Sequence, residues 1–97
     1  MVSEIFCFYK RAMETIQRIT GQEDILHTNR EESVDARSIL IYILSSKGLS
    51  DMEISSLTGL TRQGVNKLKN GCKYRRKKWS FVSDLQQISN ELATNSF

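Results

Sequence analysis

The chain has 97 residues, of which 39% are hydrophobic and 26% charged, with 14 Lys and Arg against 11 Asp and Glu. This length fits one domain, and the composition is too apolar for intrinsic disorder. The longest apolar run, the six residues from Ile39 to Leu44, is far too short to span a bilayer, and no membrane is expected among the partners. The start, Met1-Val2-Ser3-Glu4, carries an acid where a secretory signal needs a basic segment followed by a long apolar one. Cys7 and Cys72 lie far apart in sequence, so neither a disulfide framework nor a metal-ligand pair is expected, and a reduced, cytoplasmic setting follows.

Apolar residues recur mostly at helical rather than strand spacing, and the expected fold is all-α, a single domain over 1–97 with about five or six helices. Ile5, Phe8, Tyr9, Ala12, Met13, Ile16 and Ile19 mark one face of a helix from about Ser3 to Thr20. Ser3 is its expected N-cap and Gly21 the residue beyond its C-terminus. Cys7, among Phe6, Phe8 and Tyr9, reads as a small core residue. Glu23 to Leu26 should form a turn that returns apolar bulk to the core, with His27 on a loop or surface. The segment Ser33–Lys47 reads as a central helix that is apolar almost all round from Ile39 to Leu44. Its β-branched run would suit a strand in isolation, but no partner strand occurs elsewhere. Glu31, Glu32 and Asp35 form an acidic start that complements the helix dipole, and Gly48 ends the element.

Asp51 to Asn70 has the layout of a helix-turn-helix. A first helix follows the Ser50 cap with Ile54 and Leu57 inward, Gly59 occupies the tight turn, and Leu60 plugs the corner. Thr61 caps a second helix that Val65 and Leu68 hold on the core. At about 100° per residue, Gln63, Asn66, Lys67 and Asn70 point away from that core face, with Arg62 on the flank. Arginine matches guanine edges, and Asn and Gln match adenine edges, in the major groove. These five are the expected base-reading residues, while Ser50 and Thr61, at helix starts, suit phosphates.

Charge reinforces this reading. From Met1 to Leu60 there are six basic and nine acidic residues, whereas Thr61 to Lys78 holds eight basic residues and no acid. A localised positive field favours a polyanion as partner. Behind the recognition helix, a basic connector over 72–79 places Lys73, Arg75, Arg76, Lys77 and Lys78 beside Tyr74 and Trp79. Together with Lys69, these cations are expected to contact phosphates, with Trp79 buried against a last helix over about 80–93 marked by Phe81, Val82, Leu85, Ile88 and Leu92.

From Ile25 to Leu68, or about 25–70, the chain resembles the DNA-binding C-terminal domain of the replication initiator DnaA, in the Trp-repressor-like group of helix-turn-helix folds. The resemblance rests on Ala36-Arg37 followed by Tyr42, then Gly48-Leu49-Ser50, Ile54, Gly59 and Val65 at the family's spacing. It implies binding to double-stranded DNA. The family's Asp-His-Thr-Thr signature falls on Thr61, Arg62, Gln63 and Gly64, which keeps the capping hydroxyl and changes the base-reading groups. The family's basic loop falls near Asn29-Arg30-Glu31-Glu32, which is partly acidic, and the run from Lys73 to Lys78 can substitute for it. With no ATPase domain present, the resemblance implies a nucleoid-associated transcription or replication regulator of a bacterium, phage or mobile element rather than an initiator.

No phosphate loop, nucleophile elbow or metal-ligand spacing accompanies the lone His27, so neither an enzyme nor a cofactor is expected. The alternative is a protein-interaction module in which Phe6, Phe8 and Tyr9 on the first helix dock a partner or a second copy of the chain.

Overall fold

The computed structural model describes residues 4–28, 30–75 and 77–94, with no side-chain description for Lys73 and Thr94. Among these residues there are five helices and no strand: α1 (Glu4–Thr20), α2 (Glu31–Ser46), α3 (Asp51–Thr58), α4 (Arg62–Arg75) and α5 (Trp79–Thr94). The all-α expectation holds. The Ser3 cap, Asn29 and Arg76 lie outside the described residues.

α2 occupies the middle because its sequence leaves it no polar face along the run that matters. Ile39, Leu40, Ile41 and Leu44 are almost completely buried and Ile43 nearly so. A helix that is apolar all round needs neighbours on every side. α1 and α5 cover one side, supplying Phe8, Ala12 and Ile16 from the first and Phe81, Leu85 and Ile88 from the second. α3 and α4 cover the other with Ile54, Val65 and Cys72. Arg18 of α1 and Glu91 of α5 pair at 2.6 Å across the outer edge of the first layer.

Side chains of the flanking helices tie down the loop that follows α1: Gln17 donates to the Glu23 carbonyl (2.8 Å), Ser33 donates to the Gln22 side chain (2.9 Å), and Arg37 makes two further bonds. Arg37 donates from Nε to the Ile25 carbonyl (2.8 Å) and from Nη2 to the Thr28 carbonyl (2.6 Å). These bonds hold Ile25 in the core at 1% exposure, the return of apolar bulk expected from the sequence. Partial burial lowers the Arg37 pKa from its ordinary value, against an opposing pull from Asp24. His27 is exposed, as expected, beside Asp24.

Several expectations are corrected. Trp79 is 84% exposed, not buried against the last helix. Phe81, Leu85 and Ile88 fill the inner face of α5, and Trp79 falls on nearly the opposite side of the helix. Cys7 is exposed rather than core, since it falls well off the Phe8–Ala12–Ile16 stripe. Ile5, placed on the inner face by its spacing, is 39% exposed beside the start of α1, and Val82 is 38% exposed. α2 begins at Glu31, two residues before the expected start at Ser33. Finally, α4 does not stop at Asn70. It continues to Arg75, so the first half of the expected connector is helix.

Candidate nucleic-acid interface

The turn between α3 and α4 is closed by local hydrogen bonds. The Ser50 hydroxyl accepts from the Glu53 N–H (3.2 Å) while the Glu53 carboxylate accepts from the Ser50 N–H (3.0 Å), a reciprocal capping box at the start of α3. At the other end Gly59 takes φ 78°, and its N–H bonds to the Ser55 carbonyl at 2.9 Å. The left-handed conformation is the reason glycine stands there. The Ser55 hydroxyl donates to the Leu60 carbonyl, and the Leu60 N–H donates to the Thr58 hydroxyl at 3.2 Å. Leu60 is half-buried against the core, filling the corner. Thr61 then caps α4 by accepting from the Gly64 N–H at 3.0 Å. A Cβ at position 64 would lie 3.1 Å from that hydroxyl, so Gly64 leaves the cap its room. Ser50 and Thr61, the two expected phosphate ligands, thus both use their hydroxyl oxygens as acceptors at helix starts, which leaves the O–H donor of each outside these bonds.

Val65 and Cys72 are buried on the inner face of α4, with Leu68 half-buried between them. On the outer face Arg62, Gln63, Asn66, Lys67, Asn70 and Tyr74 are exposed. With Asp51 of α3 and Gly71 they line an open concavity of about 780 Å³. All five expected base-reading residues therefore share one surface. Tyr74 joins them because α4 is longer than expected, and it is 65% exposed. Its signal in the sequence was the spacing from Asn70 and Lys67, legible only if the helix is carried past Gly71.

These side chains differ in what they already bind. Arg62, Gln63 and Lys67 have no hydrogen-bond or ion-pair partner among the described residues; Arg62 only adds to the positive field around Asp51. Asn66 is engaged at both ends of its amide. It donates to Asp51 Oδ2 (3.3 Å) and accepts from Asn70 Nδ2 (3.0 Å). Lys69 pairs with Asp51 Oδ1 at 3.0 Å. The hydrogen bonds from Lys69 and then Asn66 hold the Asp51 carboxyl below the ordinary aspartate pKa.

The expected phosphate contacts divide in the same way. Arg75 reaches back to Asp35 of α2 at 2.7 Å, and Lys78 contacts both Glu31 and Asp35, the latter at 3.3 Å. The hydrogen bond to Glu31 is the main reason the Lys78 pKa is raised, and its counterpart lowers that of Glu31. The acidic start of α2 is thus a counter-charge for the end of α4 as well as a complement to its own dipole. Lys77 stays exposed, its ammonium 5.9 Å from the centre of the Tyr74 ring. Arg76 and the Lys73 side chain lie outside the described residues.

The aromatic side of α1 does not form as one surface. Phe8 is buried at 9% exposure, Tyr9 half-buried and Phe6 41% exposed. Among the described residues no helix is long and apolar enough to cross a membrane, and no group of three or more His, Cys, Asp or Glu is arranged to hold a metal ion. No protein-family model matches the chain, and neither a curated protein nor a solved structure matches it.

Proposed function

We propose that this chain is a double-stranded DNA-binding helix-turn-helix protein that lays α4 in the major groove. The observation that carries the reading is the set Arg62, Gln63 and Lys67, exposed on the first turns of α4 and without internal partners among the described residues. The first turns of the second helix are where such motifs meet base edges. An arginine and an amide there match guanine and adenine. Asn70 lies on the same surface, and Tyr74 and Lys77 extend it toward a flanking backbone.

The resemblance to the DnaA C-terminal domain belongs to this proposal, as do a cytoplasmic, nucleoid-associated location and a role as a transcription or replication regulator of a bacterium, phage or mobile element. The reading requires neither a cofactor nor catalysis. The cations available for phosphates are fewer than the sequence suggests, because Lys69, Arg75 and Lys78 are paired internally.

The test is fluorescence anisotropy of a labelled random-sequence duplex titrated with the protein at low and moderate salt. The expected result is binding at low salt that weakens as salt rises, through release of condensed counterions. Absence of binding at low salt overturns the proposal.

A further inference from the structure

Asp51, Asn66 and Asn70 form a chain of hydrogen bonds whose direction is fixed by chemistry. An ionised carboxylate only accepts. Asn66 must therefore turn its NH2 toward Asp51 (3.3 Å), which turns its carbonyl oxygen toward Asn70. Asn70 must then donate its own NH2 to that oxygen (3.0 Å), which leaves the Asn70 carbonyl oxygen directed away from the chain. The Lys69 ammonium at 3.0 Å from the other Asp51 oxygen keeps the carboxylate in place and charged. Neither asparagine is free to flip without setting oxygen against oxygen or NH2 against NH2.

The two amides consequently have different capacities. Asn66 spends an N–H and its oxygen inside the protein. Asn70 spends one N–H and keeps its oxygen and its second N–H, the acceptor–donor pair that matches N6 and N7 of adenine. Both residues face the same concavity.

Resting on the DNA-binding reading above, we infer that Asn70 reads an adenine in the major groove and that Asp51, acting through Asn66, sets which way the Asn70 amide presents its acceptor. Asp51 and Asn66 are positioning residues. The negative charge of Asp51 on a surface meant for a polyanion has a use in this arrangement: it selects the orientation of an amide two hydrogen bonds away.

The experiment has two arms. In the first, a preferred duplex is selected with the wild-type chain, and binding is measured to it and to each single-base-pair variant for wild type, Asn70→Ala, Asn66→Ala, Asp51→Asn and the Asn66→Ala/Asn70→Ala pair. Asn70→Ala should lose roughly 5- to 150-fold of discrimination at one A·T pair. Asn66→Ala and Asp51→Asn should lose part of the discrimination at that same pair, and the double variant should lose no more than Asn70→Ala. Loss at a different base pair in Asn66→Ala, or unchanged discrimination in Asn70→Ala, would overturn the assignment. The second arm needs no DNA. In the free protein, Asp51→Asn should move the side-chain amide NMR signals of both Asn66 and Asn70, and in wild type both should follow one acid titration. An Asn70 signal that ignores Asp51 overturns the relay. Coupled signals without any duplex binding would mean that the DNA-binding reading, and the adenine assignment with it, has failed while the relay stands.

Discussion

The two ends of α4 carry similar charge in the sequence and opposite roles in the fold. At its start, Arg62 and Lys67 project outward with no ion-pair partner among the described residues. At its end, Arg75 is only 27% exposed at its side chain and bonded to an Asp35 that is 19% exposed, with Lys78 on the same carboxylate. A count of cations along a chain measures the field that can be assembled, and the fold decides how much of it reaches a ligand. The paired end fastens α4 and the start of α5 to α2, and the open end is left for a partner.

Removing the cations of each end separately should have different consequences. The Arg62→Ala/Lys67→Ala pair should weaken low-salt duplex binding by tenfold or more, since each lost phosphate or base contact is worth about 1–3 kcal/mol. Thermal unfolding should barely move, because both side chains are exposed. Next in size, Arg75→Ala should destabilise the fold by about 2 kcal/mol in urea unfolding. It strands the largely buried Asp35, with only Lys78 to compensate. If Arg75→Ala left stability unchanged and Arg62→Ala/Lys67→Ala reduced it, the division between fastening and open cations would be reversed.

The joint between the two helices offers a smaller effect. Gly59→Ala should cost about 1 kcal/mol, from the left-handed backbone alone, because a Cβ there meets nothing within 4 Å. Equal stability of the variant would show that the turn relaxes. The smallest change lies in the core, where the Ser38 hydroxyl is fully buried and is the one buried side-chain polar atom without a partner among the described residues. Ser38→Ala should raise stability by up to about 1 kcal/mol, whereas a loss would reveal a bond to that oxygen.

Much of this was legible in the sequence, for identifiable reasons. The central helix followed from an apolar run with no polar face, and the α3–α4 motif from Ser50, Gly59, Thr61, Val65 and Leu68 in order. The length of α4 was not, because Gly71 suggests a stop. The helix passes it because Cys72 falls in register with Val65 and Leu68 and is buried as Val65 is. The apolar bulk of Trp79 suggests burial, but its spacing from Phe81, Leu85 and Ile88 sets it on the outer side of α5. The ion pairs could not be read at all, since Arg75 and Asp35 stand 40 residues apart and meet only once α2 and α4 pack. The same holds for Asp51, whose place on the α4 surface depends on the angle of the turn.

Whether only the open cations of this segment serve a nucleic-acid partner can be read from the slope of log affinity against log salt for one duplex. The slope should fall by about one for each phosphate-contacting cation removed. Lys77→Ala, which removes an exposed cation assigned to phosphate, should flatten it, while Arg75→Ala, in conditions where it remains folded, should leave it at the wild-type value. Equal flattening by both, or a wild-type chain whose binding ignores salt, would contradict the account.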